Sequence, residues 1–276
     1  MSNLVKLSLK KLKSQNILNP ELDLRILLNN SKKKNNELFL STLNEEEINK
    51  IKFEKYLSRR LGHEPISKIL NKKNFWKYEF YVNYNVLDPR PETEFIIEES
   101  LYYIKNRKKH LNILDIGTGS GCLSVSLAKE FLNSKILAID ISQKAILVAK
   151  KNILKHGCNN QIEAKVLSFS KVYGSFDLIV SNPPYLSTKE YLSTHHDIKK
   201  FEPKIALFGG FDGLTFYKAY AKKLPNIMKK NAFLILEIGE KQASNCIKIF
   251  NNSGLKLIKK SKDLQKKDRI LVFSKI

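Results

Sequence analysis

Asn182-Pro183-Pro184-Tyr185 sets a carboxamide, two rigid residues and an aromatic ring directly after an apolar run, Phe176-Asp177-Leu178-Ile179-Val180-Ser181. That run has the length of a buried strand and no helical spacing. Two consecutive prolines cannot extend it, because they remove two ladder donors and fix φ. The four residues therefore belong at a strand's carboxyl end, where ligands bind in open α/β sheets. The group that most needs such a site is a planar NH2, on an adenine, a cytosine or a carboxamide, whose delocalised lone pair is a poor nucleophile. The Asn182 oxygen and a proline carbonyl can accept its two N–H groups while Tyr185 packs on its face. The nitrogen lone pair is then free to meet an electrophilic methyl. Taken alone, the stretch reads equally well as a Pro-Pro loop carrying a surface tyrosine.

Upstream residues shift that balance. The short apolar strand Asn112–Ile116 leads into Gly117-Thr118-Gly119-Ser120-Gly121 and then a segment, Cys122–Lys129, with small and apolar residues at helical spacing. Glycines at 117, 119 and 121 let backbone approach a ligand closely. The third falls one residue short of the dinucleotide pattern G-x-G-x-x-G, and no Lys-Ser or Lys-Thr follows at P-loop spacing. A second strand, Lys135–Ile139, ends in Asp140, an acceptor suited to two ribose hydroxyls. The three features stand in order at the ends of the first, second and fourth strands.

This core resembles the class I S-adenosylmethionine-dependent methyltransferases. Further stretches resemble the bacterial release-factor glutamine methyltransferases, which methylate the side-chain amide of a Gly-Gly-Gln motif: Gly62–Ile66, Phe75-Trp76, Pro89-Arg90-Pro91-Glu92-Thr93-Glu94, Phe201-Glu202-Pro203, Gly209–Gly213 and Leu236–Gly239. The similarity spans roughly residues 60 to 276. It implies S-adenosylmethionine held by Gly117, Thr118, Gly119, Ser120, Gly121, Asp140, Phe169 and Asn182. It implies catalysis by Asn182, Pro183 and Tyr185, with Pro184 completing the acceptor site. The protein substrate it implies is a class 1 peptide chain release factor. Two positions depart from the family: Lys200 stands where arginine usually precedes Phe-Glu-Pro, and Ser168 where an aspartate commonly follows the third strand. Lysine lacks the fork of arginine, so a bidentate contact at 200 is in question. Phe169 is assigned to the adenine, against the alternative of an ordinary core phenylalanine.

The elements that must position these groups follow from pattern and length. A chain of 276 residues holds one sizeable α/β domain and a small second one. Residues 1–73 carry helical signals only: Leu4, Leu7, Lys11 and Leu12 form one turn series, and Pro20 opens a second helix. Asn44, before Glu45-Glu46-Glu47, reads as the N-cap of a third, after a polar break over 29–36. This segment is assigned to substrate docking. Alternating aromatic and polar residues over 74–91 predict a hairpin joining the two domains. Residues 92–276 form the catalytic domain, a Rossmann-like sheet of seven strands with the last antiparallel. After Tyr185 the pattern predicts a loop insertion (186–212), a helix from about 213, strand 232–238, a helix from about 241, and strands near 255–260 and 269–274. His195-His196 lacks a Cys or carboxylate constellation, so no metal is expected.

The net charge of +22 invites a nucleic-acid reading, but 43 of the 49 basic residues are lysines scattered over the whole chain, as a solvated surface would have them. Three cysteines without framework spacing, no signal-peptide run and no 18-residue apolar run point to a cytoplasmic, non-membrane protein, and a monomer is expected. Three functions stay open: glutamine methylation of a release factor or a ribosomal protein, N6-adenine methylation of DNA or RNA, and a non-catalytic binding protein. Intact Gly117, Asp140 and Asn182 argue against the last. A duplex-acting enzyme must flip its base and needs a recognition module. The insertion of under 30 residues is too small to supply one.

Overall fold

The computed structural model describes residues 2–33 and 45–275. The chain divides into two compact units, Met1–Asn71 and Lys72–Ile276. The first contains helices α1 (Asn3–Ser14), α2 (Pro20–Asn29), α3 (Lys50–Leu61) and α4 (Ile66–Leu70). The buried stripe of α1 is Val5, Ser8 and Leu12, with Leu4 half-buried against the same core, while Leu7 is 53% exposed and lies off the apolar face. Pro20 occupies the first turn of α2, where its missing N–H costs nothing. Asn44 and the Lys34-Asn35-Asn36 part of the polar break lie outside the described residues. The N-cap of α3 is Asn49, whose side chain accepts from the Lys52 amide at 3.0 Å. Glu45–Glu47 forms a 3-10 turn, with Glu45 accepting from the Leu4 amide at 3.1 Å. Leu12, Leu24, Leu27 and Phe53 fill the core of this unit, and Arg60 pairs with the largely buried Asp23 at 2.7 Å.

The second unit opens with a hairpin, β1 (Lys72–Phe75) and β2 (Tyr78–Tyr81). It starts before residue 74 and ends well before 91. It is fastened to the sheet domain: Asn152 accepts from the Tyr81 amide at 2.7 Å and donates to the carbonyls of Tyr81 (2.9 Å) and Ser120 (2.8 Å). The indole N–H of Trp76 donates to Glu130 at 2.8 Å.

There follow α5 (Glu94–Tyr103), β3 (Leu111–Ile116), α6 (Cys122–Glu130), β4 (Ser134–Asp140), α7 (Gln143–Lys155), β5 (Ile162–Val166) and β6 (Phe176–Ser181). After them come α8 (Thr188–Ser193), α9 (His196–Phe201), α10 (Thr215–Lys223), β7 (Met228–Glu237), α11 (Ala243–Asn251), β8 (Leu255–Lys262) and β9 (Asp268–Lys275). The seven-stranded sheet has the order β5-β4-β3-β6-β7-β9-β8, with β9 antiparallel to both neighbours and the other pairs parallel. Successive residues of β3 and β6 alternate between two cores, Ile113 and Leu178 on one face and Leu114 and Ile179 on the other. Helices cover both faces, which is why these strands read as continuous apolar runs. The insertion expected as loop carries α8 and α9. Six residues are too few for helical periodicity to register, although the capping box of Ser187 and Glu190 marks the first of them.

Strand order reverses between β3 and β6. Their register pairs Ile116 with Ser181, so the glycine loop and Asn182 leave the sheet side by side at this switch point. Among the described residues no helix is long and apolar enough to cross a membrane.

Candidate active site

Gly117 leaves β3 at φ 73°, its amide and that of Thr118 both donating to the Ile139 carbonyl at 2.9 Å. A Cβ at Gly117 would meet nothing within 4 Å, so the bend faces open space. Asp140, at the end of β4, closes the loop. One carboxylate oxygen accepts from the Gly119 amide (3.1 Å) and the other from the Ser142 amide (2.9 Å). Each oxygen keeps a lone pair for a further donor. Burial raises the Asp140 carboxyl above its ordinary range, opposed by those amides. Beneath the loop, the hydroxyls of Thr118 (2.7 Å) and Ser124 (2.5 Å) share one oxygen of the fully buried Asp115. Desolvation raises the Asp115 carboxyl to about 6.

Ser181 ties β6 to β3 by donating to the Ile116 carbonyl at 2.7 Å. The next residue, Asn182, donates its side-chain NH2 to the Thr93 hydroxyl at 2.9 Å, and Thr93 in turn donates to Glu237 at 2.5 Å. Glu237 ends β7 and is buried, which raises its carboxyl to about 7 against the hydrogen bond from Thr93 and the charge of Arg269. Arg90 pairs with Glu202 at 3.2 Å, and the Asp88 amide donates to the second oxygen of Glu202 at 3.3 Å. The Arg-Pro-Glu-Thr-Glu and Phe-Glu-Pro motifs are thereby joined. The Lys200 ammonium lies over the Phe201 ring at 5.0 Å, and Ser168 bonds Ser170 at 2.9 Å.

These segments enclose a cleft of ≈ 1030 Å³, counting its open mouth, lined by Gly117, Thr118, Gly119, Ser120, Asp140, Phe169, Asn182, Pro183 and Pro184. Phe169 meets Tyr220 edge-on, ring centroids 4.8 Å apart, and both line the cleft. Two residues expected in the site do not line it. A Cβ on Gly121 would lie 3.3 Å from Cα and Cβ of Ala149, so this glycine permits α6 to pack on α7. Tyr185 is half-buried against the core beside β7, and its hydroxyl donates to Glu237 at 3.3 Å. Thr93, Glu237 and Tyr220 had no role assigned from sequence. The available signal was an acidic residue inside the apolar strand Phe233–Ile238, since carboxylates are rarely buried without a partner. His195 accepts from the Asp197 amide at 3.3 Å at the start of α9. No group of three His, Cys, Asp or Glu among the described residues could hold a metal.

A cleft with close-approach backbone, a carboxylate with spare lone pairs and aromatic walls fits a ribonucleoside. The adjoining carboxamide and two prolines fit a planar amine. Comparison with known proteins agrees with this chemistry. The model of the methyltransferase small domain matches residues 99–200. A bifunctional methyltransferase of Rickettsia bellii is 40% identical over 96% of this chain and 53% of its own length. The chain thus spans about half the length of that relative. A release factor glutamine methyltransferase of Buchnera aphidicola is 36% identical over 98% of this chain and 96% of its own. The catalytic domain of hMettl16, solved in complex with the MAT2A 3′UTR hairpin 6, shares the fold with TM-score 0.58 at 15% identity, over 71% of this chain and 75% of that one.

Proposed function

The chain belongs to the release factor glutamine methyltransferase family, and from that premise we propose that it moves a methyl group from S-adenosylmethionine to a glutamine. The acceptor is the side-chain amide nitrogen (N5) in the Gly-Gly-Gln motif of a class 1 peptide chain release factor. The observation that carries this reading is the convergence of Asn182, Pro183 and Pro184 with Gly117–Ser120 and Asp140 on one cleft.

Gly117, Thr118, Gly119 and Ser120 would hold S-adenosylmethionine through backbone, Asp140 would accept from its ribose hydroxyls, and Phe169 would border the adenine. When bound, it supplies a methyl made electrophilic by the sulfonium. The protein's own part is orientation. The Asn182 oxygen and the Pro183 carbonyl accept the two N–H groups of the glutamine amide, which turns the nitrogen's lone pair towards the incoming carbon. As the nitrogen gains positive charge, the same two dipoles stabilise it without having to reorganise. The nitrogen's surplus proton is then acidic enough to leave without a tuned base, so no carboxylate need contact it.

Mass spectrometry of the glutamine-bearing peptides of a release factor, incubated with enzyme and S-adenosylmethionine, tests the reading. A gain of one methyl on the Gly-Gly-Gln glutamine is expected. Methylation confined to adenine in added RNA, or to a ribosomal-protein glutamine, would overturn it.

A further inference from the structure

An asparagine amide has two nearly isosteric orientations, and only one can serve the reaction proposed above. With Oδ1 turned to the acceptor it accepts an N–H; with Nδ2 there it sets one NH2 against another. Something must select between them. Nδ2 of Asn182 donates to the Thr93 hydroxyl at 2.9 Å. A hydroxyl alone selects nothing, because it could equally donate its proton to Oδ1. Here that proton is already engaged: Thr93 donates to one oxygen of Glu237 at 2.5 Å, and the Tyr185 hydroxyl donates to the other at 3.3 Å. Glu237 only accepts once it is ionised, which for a carboxyl raised to about 7 holds above that pH, and there the donors run one way, from Asn182 through Thr93 to Glu237. Thr93 is 3% exposed and Glu237 1%, so water does not compete for these bonds. The three residues come from separate places: the turn after Arg90, the end of β6 and the end of β7.

We propose that Thr93 and Glu237 are positioning residues that fix the orientation of the Asn182 amide, so that its oxygen and not its NH2 faces the acceptor. The proposal rests on the functional reading above for its effect on turnover, and on the hydrogen bonds alone for its effect on the amide. Tyr185 is then tied to the site through Glu237, which gives the aromatic of the Asn-Pro-Pro-Tyr stretch a use other than stacking on the acceptor.

Thr93→Val keeps shape and removes the acceptor, whereas Thr93→Ser keeps the hydroxyl. With the full-length enzyme and an intact release factor, Thr93→Val should lower kcat by about 10- to 100-fold, with KM and S-adenosylmethionine affinity changed less than about threefold. Thr93→Ser should restore most of kcat. Independently of activity, the Asn182 side-chain NH2 signals in a 15N NMR spectrum, identified by their loss in Asn182→Ala, should exchange with water at least about tenfold faster in Thr93→Val than in wild type or Thr93→Ser. Equal exchange in all three proteins overturns the relay, as does wild-type kcat in Thr93→Val. Equal losses of kcat in the Val and Ser variants also overturn it, since packing alone would then account for them. If the wild-type enzyme leaves the Gly-Gly-Gln glutamine unmodified, the functional reading fails, and the exchange measurement still decides the relay.

Discussion

Asp140 and Asn182 divide the work of the cleft, and their substitutions should separate accordingly. Asp140 already accepts two backbone amides, so replacing it removes both a ligand acceptor and a brace of the glycine loop. Hydrogen bonds to a charged acceptor contribute about 1.5–3 kcal/mol each. Asp140→Ala should weaken S-adenosylmethionine binding by roughly tenfold to a few hundredfold, at about 1.4 kcal/mol per decade. Unchanged affinity by calorimetry in a folded Asp140→Ala protein would remove Asp140 from the site. Asn182→Ala should instead lower turnover by on the order of a hundredfold or more while leaving cofactor affinity nearly intact, because a dipole that acts on developing charge is lost. Turnover equal to wild type would defeat the assignment.

At the scale of elements, the Asn-Pro-Pro-Tyr turn is held by the insertion that follows it and by the residue that caps α11. The Gly209 amide donates to the Leu186 carbonyl at 2.8 Å, and Gln242 donates to the Tyr185 carbonyl at 2.9 Å. A Cβ on Gly209 would stand 2.6 Å from the Pro184 carbonyl oxygen and 2.8 Å from the Tyr185 Cα, both backbone atoms that cannot swing aside. Gly209→Ala should therefore displace the turn, costing about 1–3 kcal/mol of stability as overpacking does. It should also lower kcat at least about tenfold through misplacement of Asn182, with S-adenosylmethionine binding largely preserved. Steady-state kinetics with calorimetry checks this, and full turnover would show that the glycine is not needed for the turn. The same element view explains Gly121, whose freedom from a Cβ serves the approach of two helices.

For the whole molecule, buried carboxylates link stability to pH. Asp115 is raised to about 6 and Glu237 to about 7, in both cases chiefly by desolvation. The folded chain therefore holds more protons than the unfolded one between the ordinary carboxylate range and pH 7. Stability from these groups is complete below the unfolded pKa values and is lost as pH rises through about 7. The Glu237 shift, from 4.5 to about 7, corresponds to on the order of 3 kcal/mol. Thermal unfolding should give a lower Tm at about pH 8 than at about pH 5, and Glu237→Gln should narrow the gap. A gap of the same size in that variant would assign the slope to other groups. The residues found to line the cleft all belong to the unit Lys72–Ile276, and for the unit Met1–Asn71 we propose that it docks the body of the release factor. Removing residues 1–71, and not 1–73, spares β1, which begins at Lys72. The truncated protein should bind S-adenosylmethionine and act on a short Gly-Gly-Gln peptide much as before, with a steeply raised KM for the intact factor. Equal activity of both forms on the intact factor would sink the docking role, and joint loss of both activities would show that the helices merely cover apolar surface.

Local order in the chain suffices to specify the strand from Phe176 to Ser181, the glycine bend after Ile116, Asp140 ending its strand, and the pair of prolines that halts β6. Each depends on the period of apolar residues or on the backbone limits of Gly and Pro, which neighbours in the chain suffice to express. Which groups meet is set by long-range packing. Asn182, Thr93 and Glu237 are separated by 89 and 144 positions, yet they form one hydrogen-bonded line. Their pairing follows from strand order and from turns tied by Arg90 and Glu202, and no local pattern encodes either. Tyr185 shows the limit most directly. Its place in the motif suggested a stacking face, whereas the partner of its hydroxyl, the buried Glu237 at the end of a strand 52 positions away, is visible only in the fold.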